Sequence, residues 1–299
     1  MHKGEVETDA ALVERLLAAQ FPPWADLPVR RVQSAGTDNA IYRLGDSLAV
    51  RLPRIHWATG QIGKEFRWLP KLAPLVPLAL PVPVAKGEPG EGYPWSWGVY
   101  QWLEGENAVP ENLPDLNQVA LDLAGFILAL QRIDPAGGPR PDPQKLHRGL
   151  PLAVRDAFMR EQIALLPGDL DADAVTAAWR HALDAPVWDR PPVWIHADLQ
   201  AGNLLAVRGR LSAVIDFGAL QVGDPACEVA VAWRMLNAEA RQVFRAALSC
   251  DGASWARARG WALSIAVIEL PYYLHTNPAI ATAARRTIAE VLSDHERGR

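Results

Sequence analysis

Cysteine is scarce in this chain, with two residues in 299, Cys227 and Cys250. Two thiols so far apart cannot make a disulfide framework, and they lack the paired spacing of a zinc site. Long apolar runs are missing too. The best candidate, WALSIAVIELPYYL from Trp261 to Leu274, is shorter than the ~20 residues a bilayer requires and carries Glu269 and Pro271. The opening MHKGEVETDA is polar and has no apolar leader core, so a cytoplasmic location is expected. There is no excess of positive charge: the net charge is −4. Neither nucleic acid nor a membrane is therefore an expected partner. Internal repeats and low-complexity tracts are absent, and nothing in the sequence specifies an oligomeric state.

What is present is a globular composition, 49% hydrophobic and 21% charged. The length suffices for two lobes with real cores. Thr8 is expected to cap a first helix whose apolar face is Leu12, Val13, Leu16 and Leu17. Short apolar runs broken by AGTDN and GD predict antiparallel strands at Val29 to Gln33, Ile41 to Leu44 and Leu48 to Leu52. A helix follows with the stripe Ile62, Phe66, Leu69 and Leu72, and then two strands flank a Pro/Gly-rich turn. LEGEN at 103–107 is the expected hinge. Beyond it the spacing is helical, with Leu116, Ala120, Leu123, Ile127 and Leu130 on one face and further helices at 152–166 and 172–184. A strand-rich stretch at 193–217 interrupts the helices, which resume at Pro225.

That interruption carries the chemistry. Residues 194–218 read WIHADLQAGNLLAVRGRLSAVIDFG. Leu204 to Val207 and Leu211 to Ile215 are apolar strands joined at Arg208-Gly209-Arg210, so a hairpin would place Asn203 opposite Asp216 within one residue. An amide oxygen and a carboxylate there, with Gly202 and Gly218 leaving room, suit a hard cation such as Mg²⁺. Asp198 approaches from the preceding loop as a base. Metal-assisted phosphoryl transfer needs this set, a cation to spread phosphate charge and an acceptor for the hydroxyl proton. A single Asp or Asn beside Gly is ordinarily a turn former and a single His a structural one. The conjunction H-x-D-x₄-N, hairpin and I-D-F-G is far more specific.

These residues resemble the catalytic loop and DFG segment of the protein-kinase-like fold. With His-Ala-Asp in place of His-Arg-Asp, the segment resembles the aminoglycoside phosphotransferase family in particular, and GDPACEVA after IDFG matches as well. The resemblance covers almost the whole chain and includes macrolide-phosphotransferase-like members. It implies an α+β, two-lobed fold. The N-lobe, 1–103, would be a small antiparallel sheet with one main helix, binding nucleotide. The C-lobe, 104–299, would be mostly helical and carry the catalytic hairpin. It also implies Asp198 as catalytic base, Asn203 and Asp216 as Mg²⁺ ligands, and His196 as a residue that shapes the loop. ATP or GTP would be the donor.

On the nucleotide side, the turn containing Ser34 and Gly36 lies where the family covers the phosphates, with only one glycine. On the third strand the family pattern has Lys where this chain has Arg51; Arg keeps the charge and adds a planar fork. Glu65 on the following helix is its expected ion-pair partner, and the backbone of Gln101 and Leu103 would meet the purine. Asp224-Pro225 reads as a helix start, with Asp224 as cap and Pro225 in the first turn.

The acceptor side is less defined. Asp224, Glu228, Trp233, Glu269 and Tyr272 are the candidate substrate-binding residues. Acidic side chains do not outnumber basic ones from Asp224 onward, while Trp233, Trp255, Trp261, Tyr272 and Tyr273 crowd that region, chiefly as core. An apolar acceptor with few amines is expected, and antibiotic inactivation is the leading role. The rivals are a metabolite kinase, as in choline- or homoserine-kinase-like relatives, and a catalytically silent nucleotide-binding module. Only eight positions separate Asp216 from Asp224, too few for the long activation segment of a protein kinase.

Overall fold

The computed structural model describes residues 5–33, 38–145 and 147–297. The chain begins with helix α1 (Ala10–Gln20), strands β1 (Val29–Arg31), β2 (Asn39–Leu44) and β3 (Leu48–Pro53), and helix α2 (Thr59–Leu72). Strands β4 (Pro83–Gly87), β5 (Trp97–Gln101) and β6 (Glu106–Asn107) follow, then helices α3 (Leu116–Gln131), α4 (Asp156–Ile163) and α5 (Ala172–Leu183). Strands β7 (Val193–Ile195), β8 (Leu204–Val207), β9 (Arg210–Val214) and β10 (Gln221–Gly223) come next. The chain closes with α6 (Ala226–Val229), α7 (Val231–Met235), α8 (Ala238–Ala247), α9 (Gly252–Tyr273) and α10 (Pro278–Arg297). The fold is α+β. Its contacts divide it into two compact units. The first runs to Asn107 and takes in 204–207 and 212–218; the second holds 108–203, 208–211 and the chain from Ala219 onward.

The first unit is built on an antiparallel sheet in the order β1-β2-β3-β5-β4. Strand β2 alternates burial residue by residue, turning Ala40, Tyr42 and Leu44 inward, as a pleated strand with one covered face must. Helix α1 lays Leu12, Val13, Leu16 and Leu17 into the same core as Tyr42, Leu44, Trp97 and Val99. Both helices expected in this stretch, α1 and α2, are present. The cap of α1 is one residue later than the sequence suggests. Asp9 Oδ1 accepts from Leu12 N at 2.7 Å, while the Thr8 hydroxyl accepts from Tyr42 Oη at 3.0 Å. Helix α2 buries Ile62, Glu65, Trp68, Leu69 and Leu72 on one face.

In the second unit α9 is buried nearly all round and packs on α10, α6, α5 and α4. The apolar run tested above as a membrane span is the C-terminal half of this helix and its C-cap residue, Leu274. No helix among the described residues is long and apolar enough to cross a membrane. The stretch 152–166 is not one helix: a single 3₁₀ turn, Leu152–Arg155, leads into the short α4. The hairpin β8–β9 turns on two residues, Arg208 and Gly209, both with positive φ (51° and 74°). This is the signature of a two-residue turn whose twist matches its strands, and it leaves Arg210 inside β9 rather than in the turn. At α6 the capping position is Pro225, but Asp224 Oδ1 still accepts from Ala226 N at 2.9 Å.

Replacing Asp9 with Ala removes the acceptor for an unpaired helical N–H and should cost about 1 kcal/mol. Urea denaturation reads this directly, and an Asp9→Ala protein as stable as its parent would return the capping role to Thr8.

Candidate active site

In the first unit, β3 delivers Arg51 to the centre of a polar cluster. Arg51 is 8% exposed. Nη1 donates to Glu65 Oε1, and Nη2 donates to Gln61 Oε1 at 2.7 Å and to Asp216 Oδ1 at 2.9 Å. Tyr100 Oη, on β5, donates to the second Glu65 oxygen at 2.7 Å. Burial alone would lower the pKa of Arg51, but Glu65 and then Asp216 hold it well above its ordinary value. The guanidinium therefore stays charged despite its burial. The structure brings Arg51, Glu65 and Asp216 together.

Helix α2 contributes two further groups. Lys64 Nζ donates to the carbonyl oxygen of Gly218, two residues beyond Asp216. Burial pulls the pKa of Lys64 down to about 8, with Arg51 acting the same way and Glu65 and Asp216 opposing. A Cβ at Gly218 would lie 2.6 Å from Gln61 Cδ, so only glycine lets the α2 amide sit this close. Asp216 itself has φ of 61°, a left-handed conformation that Asp tolerates better than most side chains, and its side chain stays 43% exposed.

Ser34 and Gly36 lie outside the described residues. The N–H of Gln101 donates to the carbonyl of Val82 at 2.9 Å. Leu103 makes no backbone hydrogen bond among the described residues.

In the second unit the loop after β7 presents Asp198. Ala197, just before it, has φ of 70°, a conformation worth roughly 1–3 kcal/mol of strain for a non-glycine residue. Three bonds hold it. Ala197 N donates to Glu228 Oε1 at 2.6 Å, Arg148 Nη1 donates to Ala197 O at 2.7 Å, and Asp198 N donates to His196 Nδ1 at 3.1 Å. The Asp198 carboxylate accepts from Arg148, lies 3.5 Å from Arg234 Nη1, and accepts from Asn203 Nδ2 at 3.1 Å. Burial by itself would raise its pKa; Arg148 and then Arg234 outweigh this and keep it below the usual carboxylate range. The structure brings Asp198 and Asn203 together, with Asn203 Nδ2 also on the Asp198 carbonyl at 2.8 Å.

The candidate acceptor residues divide. Trp233 is 1% exposed and stacks on Trp255 at 4.5 Å between ring centroids, so it belongs to the core and offers no face to a substrate. Asp224 is buried and held by Arg257, with Nε to Oδ2 at 2.9 Å. Glu228, 1% exposed, is spent on the Asp198 loop. These three are corrections: burial and internal partners remove them from the acceptor surface. Glu269 is 19% exposed and accepts from Arg234 Nη2 at 2.9 Å and 3.3 Å. Tyr272, three residues on along α9, is 55% exposed.

Each donor taken singly has the oxygen chemistry a hard cation takes: Asn203 uses its amide nitrogen on Asp198 and has an amide oxygen besides, and Asp216 commits Oδ1 to Arg51 and has a second carboxylate oxygen. No group of three or more His, Cys, Asp or Glu suited to a metal occurs among the described residues. Gln61, Lys64, Tyr100, Arg148 and Arg234 escaped the sequence reading. Lys64, Tyr100, Arg148 and Arg234 reach their partners from distant segments that no local spacing marks. Gln61, ten residues from Arg51 and on the same helix as Glu65, carries no charge to signal a pair.

The chain matches the sequence model of the phosphotransferase enzyme family over residues 29–261. No curated protein sequence matches it. Among solved structures it is similar to the GDP complex of wild-type aminoglycoside 2'-phosphotransferase-IIIa, with 19% identity, 96% of this chain and 100% of that one covered, and a TM-score of 0.76. A GDP and kanamycin complex of an APH(2") enzyme shares 21% identity over 94% and 98% of the two chains, with a TM-score of 0.73. The apoenzyme of a macrolide 2'-phosphotransferase from Brachybacterium faecium shares 22% identity over 94% and 97%, with a TM-score of 0.60.

Burial pushes the Glu228 carboxyl up to about 7, against the N–H groups of Ala197 and His196 that favour its charge. A carboxyl raised in the fold contributes stability that is complete below its unfolded pKa and lost as pH rises through about 7. Glu228→Gln keeps an acceptor for Ala197 and removes the titration. Denaturation at pH 5 and pH 8 should therefore show the parent losing more stability than the variant; equal losses would mean that Glu228 is not the titrating group.

Proposed function

We propose, from the premise that the chain belongs to the phosphotransferase enzyme family, that it transfers the γ-phosphoryl of ATP or GTP to a hydroxyl of an amine-poor small molecule of the macrolide kind. Asp198 accepts the hydroxyl proton as the hydroxyl oxygen bonds to phosphorus and the β,γ-bridging oxygen leaves with the nucleoside diphosphate. Asn203 and Asp216 are the residues that would hold Mg²⁺, which spreads phosphate charge when bound. Arg51 orients Asp216 and, with Glu65, the phosphates. Asn203 fixes the Asp198 carboxylate, and Arg148 keeps it ionised, so that it can take a proton at neutral pH.

One observation carries the acceptor assignment: the carboxylates available to a polycation are already paired. Asp198 has Arg148 and Arg234, Glu269 has Arg234, Asp224 has Arg257, and Glu228 is buried against backbone. A polyamine sugar needs unpaired carboxylates to replace its hydration. An apolar ring system with a single amine does not. Resistance to such an antibiotic is the corresponding role.

Asp198→Asn should cut acceptor phosphorylation by roughly 10²–10⁴-fold while nucleotide still binds. Acceptor KM in the parent protein should change little between low and high salt, because screening acts on separated charges rather than on apolar contact. Near-parental turnover in Asp198→Asn would remove the base, and a KM that climbs steeply with salt would point to a polycationic acceptor instead.

A further inference from the structure

We propose that Arg234, on the short helix α7, sets acceptor specificity: it places one fixed positive charge beside both the base Asp198 and Glu269, and so excludes acceptors that carry several ammonium groups. The inference rests on the phosphotransferase reading and deepens it by assigning the exclusion to a single side chain. The side chain of Arg234 is 9% exposed. Nη2 donates to Gln200 Oε1 at 3.1 Å and to the Glu269 oxygens at 2.9 Å and 3.3 Å, and Nη1 lies 3.5 Å from Asp198 Oδ1. All of these partners are side chains. Arg148, the other guanidinium on Asp198, also donates to the carbonyl of Ala197 and so braces the loop backbone. Arg234 makes no such brace, and its contribution is one of charge.

Any acceptor must meet that charge. The hydroxyl that loses its proton has to come within roughly 3 Å of the Asp198 carboxylate. Arg234 Nη1 is 3.5 Å from the same carboxylate. The reacting oxygen therefore lies within roughly 9 Å of the guanidinium, about one Debye length, whatever the acceptor. A sugar with ammonium groups beside its hydroxyls is repelled there. Glu269 would offset the repulsion if it were unpaired, since its side chain is 19% exposed. Its charge belongs to the same group: burial alone would lower the pKa of Arg148, but Asp198 raises it, and so does Glu269. Two carboxylates and two guanidinium groups thus cancel, and Arg234 is the member in contact with both carboxylates. Without its charge the group becomes net negative and Glu269 is released to hold an ammonium.

The test compares kcat/KM for erythromycin, a macrolide with one amine, and kanamycin, an aminoglycoside with several, in the presence of Mg²⁺ and ATP or GTP. Where kanamycin turnover is too slow to measure, its inhibition of the macrolide reaction is read instead. Arg234→Gln keeps an amide donor and removes the charge. The kanamycin-to-erythromycin ratio should rise by roughly 10- to 100-fold, the worth of one ammonium–carboxylate hydrogen bond. Kanamycin KM should also become dependent on salt. Arg234→Lys keeps the charge and should hold the parental ratio, and adding Glu269→Gln to Arg234→Gln should abolish the gain. Glu269→Gln alone leaves Arg234 with one carboxylate fewer and should lower the ratio; this variant decides the matter if Arg234→Gln does not fold. An unchanged ratio in the deciding variant, with both acceptors losing turnover together, would overturn the assignment and leave Arg234 as a support for Asp198. A parent protein that phosphorylates neither compound, or that prefers kanamycin, would overturn the acceptor reading itself.

Discussion

Each carboxylate near the proposed chemistry is matched by a guanidinium, apart from Glu228, and the proposed acceptor preference depends on this pairing. Isolated buried carboxylates are costly and would take up protons. Arg51 sits on Glu65 and Asp216, Arg148 on Asp198, Arg234 on Asp198 and Glu269, and Arg257 on Asp224. Pairing keeps Asp198 ionised, which a base requires, and at the same time cancels the negative field that would attract a polycation. On the proposed reading, one device serves both catalysis and specificity. Glu228 takes the other course: without a guanidinium, its carboxyl is pushed up to about 7 and it spends an oxygen on backbone N–H.

Helix and strand hold the Arg51–Glu65 pair on rigid supports. Arg51 projects from a strand with neighbours on both sides, and Glu65 from a helix whose apolar face is fixed by Ile62, Leu69 and Leu72. Left-handed backbone occurs at Ala197, next to the base, and at Asp216, a proposed metal ligand. Such conformations persist only where surrounding bonds fix them. At Ala197 those bonds come from Arg148 and Glu228, so charge pairing and backbone strain are balanced by the same residues.

Much of the fold was legible because its signals are local. The alternation of Ala40, Tyr42 and Leu44, the stripe on α2 and the Gly209 turn are patterns of a few residues. Arg51 and Glu65 could be paired in advance because a strand and the next helix are adjacent in sequence. Arg148 and Arg234 could not: they converge on Asp198 from an irregular loop and a five-residue helix, and no spacing announces either. Burial misled in the other direction. Trp233, Asp224 and Glu228 have the chemistry of substrate contacts, yet Trp255, Arg257 and the Ala197 N–H claim them. Capping at α1 moved by one residue, from Thr8 to Asp9, because Tyr42 supplies the Thr8 hydroxyl with a partner from across the sheet.

Direct competition between acceptors tests the central claim most plainly. The protein, Mg²⁺ and limiting nucleoside triphosphate are mixed with equimolar macrolide and aminoglycoside, and the products are weighed by mass spectrometry. The paired carboxylates predict that the phosphoryl group appears on the macrolide. Its appearance on the aminoglycoside would contradict the account, since a polycation would then be recognised by carboxylates that the structure shows already engaged.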